Sequence, residues 1–306
     1  MLLAGSVLIF VDSMITERTR AYFYIHFCVL IWGFTAILGK LISLSALPLV
    51  WWRVVICSLT LFAVMPRTHL RAVSRQWAVR LLGIGALIGL HWICFYGAIK
   101  LSNASVAVAA MATTSFFSAL TGPWLMKTRI RATELLLGIV VLAGMLFISG
   151  YIDWSMRLGF GVGVLAALLA AIFSTLNKKA VDAELPPFAI SFLGLSGASI
   201  ALTLLLPLFF CQSPQSAFWP QGNDWLWLLI LAWVCTLVPY YFTLKSLEHL
   251  SAFSTNLALN LEPVYGILLA AWLFREDRSL SPHFYTGMVM ILAAVFSYPL
   301  LRKKEG

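Results

Sequence analysis

Charged residues are scarce in this 306-residue chain, because Asp, Glu, Lys and Arg together make up 11% of the sequence. Soluble domains usually carry about 25% charged residues. Hydrophobic residues reach 61%, and the mean hydropathy is +0.92. A water-soluble fold could not bury this much apolar surface in one core, so the composition indicates that lipid is the solvent of this protein.

The sequence also lacks the motifs of cofactor, metal and nucleic-acid chemistry. The five cysteines form no C-x-x-C pair and read as small apolar residues. The glycine-rich stretch 83-GIGALIG-89 lacks the pattern of a nucleotide loop and suggests close helix contact instead. The basic residues form no patch interleaved with aromatic residues, which argues against a nucleic-acid partner. We therefore predict no cofactor and no metal.

The apolar runs are continuous and approach the roughly 20 residues that cross a bilayer as a helix. They lack the alternating pattern of a transmembrane β-strand. Backbone groups in lipid must bond within their own segment, so each run predicts a helix. The sequence thus predicts an all-α integral membrane protein with ten transmembrane helices. The predicted spans are 22–42, 47–65, 78–99, 103–126, 133–150, 159–178, 186–210, 225–246, 252–274 and 282–301.

Lys and Arg are distributed unequally between the segments that connect these spans. With a cytoplasmic N-terminus, 15 of them lie on the cytoplasmic side and 4 on the outer side. Because cytoplasmic loops carry the excess of Lys and Arg, both terminal segments, 1–21 and 302–306, should face the cytoplasm. We expect a multi-pass protein of a bacterial cytoplasmic membrane.

The apolar pattern occurs twice along the chain. The segment 94–130 parallels 239–276: in each, an aromatic-rich span carries a Lys near its end, a polar turn follows, and a Ser begins the next long span. The two halves, 22–150 and 159–301, hold five predicted spans each. An odd number of spans forces the second half to enter the membrane from the opposite side, which predicts two inverted repeats.

Two stretches carry a resemblance to a known family. The stretch 31-IWGFTAILGKL-41, followed by Pro48 and Arg53, resembles the opening of an EamA domain, and 261-LEPVYGILLAAWLFRE-276 resembles the end of a second one. The chain therefore resembles the EamA family of the drug/metabolite transporter superfamily over nearly its whole length. The resemblance implies ten helices, two inverted five-helix repeats, cytoplasmic termini and export or exchange of small metabolites. The first half departs from the pattern, since Phe116-Phe117 stands where the second half has Glu262-Pro263.

Two charged residues within the spans are candidates for chemistry, because a charge in the membrane is costly. Glu262 precedes Pro263 in the ninth span. It is either a protonatable group or substrate ligand at a central cavity, or it caps or braces a helix break and pairs with Arg53 or a polar neighbour. Arg53 could clamp a carboxylate or phosphate with two N–H groups. It could equally extend outward to the interface or hold a helix pair together.

His91, Trp92 and Tyr96 lie close together in the third span. His91 could relay protons near neutral pH, which makes it the second proton-coupling candidate beside Glu262, or it could be a hydrogen-bonded structural residue. If this helix face lines a cavity, Trp92 or Tyr96 could stack on a planar or apolar substrate.

Small polar residues occur at mid-depth in the fourth and ninth spans. Asn256 and Asn260 share one helix face, and Thr114 occupies the position that the repeat alignment pairs with Asn260. Two such patches could form a transport site, or they could be interhelical hydrogen bonds. Tyr240, Tyr241 and Tyr265 are further candidates.

These observations favour a secondary transporter of small metabolites such as amino acids, which works by alternating access around a central cavity. Its partners would be the substrate, the lipid bilayer and protons as coupling ion, and it would be a monomer or homodimer. A membrane enzyme for lipid-linked substrates would need clustered His, Asp or Glu, whereas intramembrane acids are nearly confined to Glu262. A binding or signalling scaffold is the other alternative, and it would favour a sizeable soluble domain. We therefore expect no enzymatic activity.

Overall fold

A computed structural model describes residues 16–149, 152–212, 215–259, 261, 262, 265, 272 and 282–302 of the chain. Regular secondary structure in these residues is helical. The first half contributes α1 (Glu17–Trp32), α2 (Thr35–Leu41), α3 (Ala46–Val64), α4 (Arg67–Arg71), α5 (Arg75–Leu101), α6 (Ala104–Met111), α7 (Thr114–Met126) and α8 (Ala132–Ser149). The second half contributes α9 (Arg157–Asp182), α10 (Pro187–Gln212), α11 (Asp224–Ala232), α12 (Val238–Leu247), α13 (Ala252–Leu259) and α14 (Pro282–Arg302).

Seven helical segments in the described part of the chain are long and apolar enough to cross a membrane. They are Glu17–Leu41, Ala46–Val64, Arg75–Leu101, Ala104–Met126, Trp154–Asp182, Pro187–Gln212 and Asp224–Leu247, and shorter apolar stretches lie at Ala132–Gly144 and Tyr285–Ala294. The all-α membrane fold is thereby confirmed. The predicted ninth span, 252–274, is described only in part, so the count of ten stays a prediction.

Several of the membrane segments are interrupted. α1 and α2 are separated at Gly33–Phe34, α6 and α7 at Ala112–Thr113, and α11 and α12 by a π-helical turn, Trp233–Leu237. Backbone carbonyls freed at a break in the membrane need new donors. Threonines supply them: Thr35 Oγ1 donates to the Trp32 carbonyl at 2.7 Å, and Thr114 Oγ1 to the Met111 carbonyl at 2.7 Å.

The two halves pack closely along α5 and α10. A Cβ built on Gly85 would overlap the Gly194 carbonyl, and one on Gly197 would overlap the backbone of Leu82. Only glycine therefore allows the two backbones to approach so closely. The first pair is the contact that the glycine-rich stretch 83–89 predicts.

Contacts between distant parts of the chain define the two ends of the bundle. At one end, which we call the Asp224 end, the Asp224 carboxylate accepts from Ser43 N at 2.9 Å and from Ser43 Oγ at 2.5 Å. At the other, the Lys178 end, Lys178 Nζ donates to the Leu247 carbonyl at 2.9 Å, and Ser246 Oγ donates to the Ala21 carbonyl at 3.0 Å. The predicted topology assigns the Asp224 end to the outer side.

Candidate functional site

A cavity of about 100 Å³ lies between the two halves. Helices α1, α2, α3, α5, α6 and α7 of the first half contribute to its wall, as do α9, α12, α13 and Glu262 of the second. The wall is mostly apolar and aromatic, with a small number of polar side chains. This is the usual constitution of a small-molecule site.

Arg53 is the charged centre of one part of this wall, and it is only 2% exposed. Its Nε donates to Thr236 Oγ1 at 2.6 Å, its Nη1 to the Tyr96 hydroxyl at 3.0 Å and its Nη2 to the Cys235 carbonyl at 3.5 Å. The guanidinium also lies 3.9 Å from the centroid of the Trp92 ring. These contacts fix the direction of the guanidinium and exclude the outward orientation that the sequence left open.

All these partners of Arg53 are neutral. In the described part of the chain, no Asp or Glu oxygen lies within the 4.0 Å of an ion pair with this residue. The guanidinium has more N–H groups than its three hydrogen bonds use. Glu262 of the same cavity interacts with Arg53 electrostatically but not in direct contact. A buried charge without a contacting counter-ion is costly, so an anionic group that binds the guanidinium directly would be stabilised here.

Trp92 and Tyr96 both touch Arg53 but differ in position. Trp92 lines the cavity beneath the guanidinium. Tyr96 is completely buried, lies outside the cavity wall, and packs its ring where a Cβ on Gly39 would stand. Tyr96 is therefore placed to orient Arg53, whereas Trp92 is placed to touch a ligand.

His91 lines the cavity next to aromatic side chains. Its Nδ1 lies 2.8 Å from the Ala166 carbonyl oxygen, and its ring centroid lies 5.3 Å from that of Phe173. A carbonyl oxygen only accepts, so Nδ1 carries the hydrogen and Nε2 is left to receive a proton. The hydrogen bond at Nδ1 agrees with a structural role for His91. Because Nε2 can still accept a proton, a role in proton relay also remains open.

The fourth- and ninth-span candidates meet as the repeat alignment suggests. Thr114 and Asn256 both line the cavity, and Asn256 Nδ2 donates to Ser118 Oγ at 2.6 Å, which joins α13 to α7. Glu262 is partly buried and lines the same cavity. No described residue forms a hydrogen bond or ion pair with its carboxyl, and Arg53 interacts with it only through the electrostatic field of the cavity.

Two further candidates fall elsewhere. Tyr265 is 39% exposed and is not part of the cavity wall. Asn260 lies outside the described residues.

Sequence reasoning missed a group of polar residues in the second half. Ser174 and Asn177 on α9 and Thr243 on α12 line the cavity beside Tyr240. Asn177 Nδ2 donates to the Tyr240 hydroxyl at 3.0 Å. The three-residue spacing of Ser174 and Asn177 is a signal that could have shown a shared polar face. It was obscured because Asn177 precedes Lys178 at the predicted end of a span.

Comparison with known proteins gives these features a family context. The family model described as the EamA-like transporter family matches residues 19–150 and 157–300. The chain belongs to the EamA-like transporter family. The two matched segments correspond to the two-repeat layout, and the cavity takes its wall from both of them.

One similar solved structure is described simply as the crystal structure of a protein. It shares 19% sequence identity with a TM-score of 0.68, and the match covers 94% of this chain and 99% of that one. At this identity the likeness shows the fold alone. No curated protein matches the chain.

The family assignment makes this protein a membrane-embedded, multi-pass transporter-like protein that acts on a small molecule. Among the described residues, no group of three or more His, Cys, Asp or Glu side chains could hold a metal ion. The chemistry of the site therefore rests on Arg53, on the unpaired Glu262 and on neutral polar and aromatic side chains.

Proposed function

We propose that this EamA-like protein is a secondary transporter that exports or exchanges small acidic or zwitterionic metabolites such as amino acids. The observation that carries the proposal is the buried guanidinium of Arg53, which lines a cavity between the two halves and has no acidic partner among the described residues. A substrate carboxylate would bind its remaining N–H groups.

Alternating access requires the two halves to rock about this cavity. The interrupted helices supply places for such a movement, because the break at Ala112–Thr113 and the end of α13 at Leu259 occupy corresponding positions in the repeat alignment. Interrupted segments at matching positions are typical of transporter binding sites. Opening the Asp224 end would break the hydrogen bonds between Ser43 and Asp224.

Proton coupling would use the two cavity groups that can exchange a proton. Glu262 has no partner in the described structure, and His91 can accept at Nε2 while Nδ1 stays bonded to Ala166. Protonation of Glu262 would remove a negative charge from the cavity that holds Arg53. Proton binding would thereby favour binding of an acidic substrate, and proton loss would favour its release.

The proposal is tested by comparing extracellular metabolites from cells that produce the wild type, Arg53→Met or Arg157→Met. Arg157 is the matched control, because its guanidinium also lies over a Trp ring, at 3.6 Å from Trp154, but outside the cavity wall. We expect an acidic or zwitterionic metabolite to accumulate with the wild type and Arg157→Met and to fall to background with Arg53→Met. An unchanged metabolite pattern across all three strains, with the proteins present in the membrane, would refute the function.

A further inference from the structure

Four polar side chains of α9 and α12 form a patch in the cavity wall, which we call the Asn177 patch: Ser174, Asn177, Tyr240 and Thr243. Asn177 lies one residue before Lys178, and Thr243 lies one turn before Leu247. Since Lys178 is bonded to the Leu247 carbonyl, the patch lies toward the Lys178 end of the bundle.

Asn177 is 2% exposed, and only one of the two polar atoms of its side-chain amide has a hydrogen-bond partner among the described residues. Its Nδ2 donates to the Tyr240 hydroxyl, whereas its Oδ1 has no hydrogen-bond partner among the described residues. Buried polar atoms are normally paired, and a group left unpaired costs stability. Asn177 lines the cavity, so a ligand donor that reached this buried oxygen would supply the missing hydrogen bond.

Thr243 of the same patch differs from Asn177. Five buried side-chain nitrogen or oxygen atoms lack a partner of hydrogen-bond geometry in the described part of the chain, and two of them, Asn177 Oδ1 and Thr243 Oγ1, belong to cavity-lining residues, but the Thr243 hydroxyl also interacts with the Cys28 thiol of α1. Elsewhere in the wall, Thr35, Thr114 and Asn256 each donate to a named oxygen. Asn177 Oδ1 is therefore an unpaired neutral acceptor of a wall residue, in addition to Glu262 and to His91 Nε2.

The distance from Arg53 follows from the segment in which the π-helical turn Trp233–Leu237 leads directly into α12. Arg53 is bonded to Thr236 and Asn177 to Tyr240, and these partners are four residues apart. At 1.5 Å per residue, the two bonding positions are separated by about 6 Å along the helix axis. This exceeds the separation of an ammonium and a carboxylate on the same carbon atom, which are only two bonds apart.

The same cavity wall also carries aromatic side chains. Trp92 and Phe95 of α5 and Phe173 of α9 line the cavity, and the His91 ring lies 5.3 Å from Phe173 and 6.4 Å from Phe95. A flat or apolar body would fill this part of the cavity.

We infer that the Asn177 patch is a specificity subsite for a hydrogen-bond donor, a hydroxyl or N–H, that an apolar body separates from the acidic group held at Arg53. The inference rests on the proposed function and narrows its substrate class. The donor would bond to Asn177 Oδ1, in the patch to which Thr243 also belongs. A substrate that lacks the donor would leave Asn177 Oδ1 unpaired and bind more weakly.

Matched probe pairs test this subsite in purified protein reconstituted in lipid nanodiscs. 3-(4-Hydroxyphenyl)propionate and 3-phenylpropionate differ only in the donor, as do tyrosine and phenylalanine. We expect the hydroxylated member of at least one pair to bind about tenfold more tightly to the wild type. In Asn177→Leu this preference should vanish because only the hydroxylated member weakens.

Three variants complete the test. Asn177→Asp keeps an acceptor at the same place, so it should retain the preference. Thr243→Val should reduce the preference for hydroxylated probes. It replaces Asn177→Leu in the test if Asn177→Leu fails to fold. Thr255→Val is the control, because Thr255 Oγ1 is also buried and unpaired but lies outside the cavity wall, and this variant should behave as the wild type.

The outcomes separate the inference from the proposed function. Equal binding of both members of each pair, with binding abolished by Arg53→Met, would overturn the donor subsite and leave the acid site standing. A preference that survives in Asn177→Leu and Thr243→Val would also overturn it. Failure of all four probes to bind, or binding that Arg53→Met leaves unchanged, would count against the acid site and the subsite together.

Discussion

The cavity has two polar regions that are built in opposite ways. Around Arg53, three protein groups accept hydrogen bonds from the guanidinium and an indole ring supports it. In the Asn177 patch, the amide has a partner for its donor but none for its acceptor among the described residues. In the first region the protein fixes the orientation of the charged group, whereas in the second it leaves a buried acceptor without a partner.

The difference separates two tasks of a binding site. A charged group that is held in place before binding loses little freedom when a ligand arrives, so it contributes affinity. An unpaired buried acceptor discriminates instead, because a ligand without a donor leaves it unpaired. Arg53 would therefore set how tightly acids bind, and Asn177 would set which of them is selected.

The largest effect on acid binding should come from a substitution that keeps the positive charge at position 53 but replaces the planar guanidinium. In Arg53→Lys, an ammonium cannot reach Thr236, Tyr96 and Cys235 together, and Arg and Lys are not interchangeable at stacked sites. We expect acid binding to weaken by about thirtyfold, which corresponds to about 2 kcal/mol. Binding in nanodiscs measures this, with Arg157→Lys as the control. Wild-type affinity in Arg53→Lys would mean that charge alone matters there.

Glu262 lies in the cavity without belonging to either region, and its replacement tests whether the acid carries the coupling. In proteoliposomes, Glu262→Gln should transport substrate down its own gradient but no longer respond to an imposed pH gradient, because the amide cannot take up a proton. Glu248→Gln is the control, since Glu248 pairs with Lys245 outside the cavity wall. A pH response retained in Glu262→Gln would transfer the coupling role to His91. Transport without a pH response in the wild type would refute proton coupling.

Tyr240→Phe should weaken the Asn177 patch without touching Arg53. The loss of the hydroxyl removes the acceptor that orients the Asn177 amide. We expect the preference for hydroxylated probes to fall about fivefold, which corresponds to about 1 kcal/mol. The binding of unhydroxylated acids should be retained. Tyr241→Phe is the matched control, because Tyr241 is adjacent but outside the cavity wall. Equal losses for both probe classes would indicate a general packing defect.

Tyr96→Phe should have the smallest effect. It removes one of three acceptors of Arg53 and leaves the Trp92 contact in place. Acid binding should weaken about threefold, with the preference between hydroxylated and unhydroxylated probes unchanged. A changed preference would place Tyr96 in contact with the ligand, contrary to its complete burial behind Arg53.

The candidate site was only partly predictable from the sequence. A charge within an apolar run is conspicuous, so Arg53 and Glu262 could be found, and the structure places both in the cavity wall with His91, Trp92, Thr114 and Asn256. Tyr96 was found as a neighbour of His91, yet its side chain lies behind Arg53. Asn177 and Thr243 were missed because neutral polar residues near the ends of spans are common and give no distinct signal.

What the sequence by itself determined is the solvent of the protein, the place of its helices along the chain and its family. The hydropathy of each run decides these, because an unpaired backbone cannot exist in lipid. Which face of each helix meets the cavity was decided only by the tertiary structure. Lipid tails and the protein interior are equally apolar, so hydrophobic periodicity does not mark the inward face. The glycine contact between α5 and α10 and the hydrogen bonds of Arg53 and Asn177 set those faces.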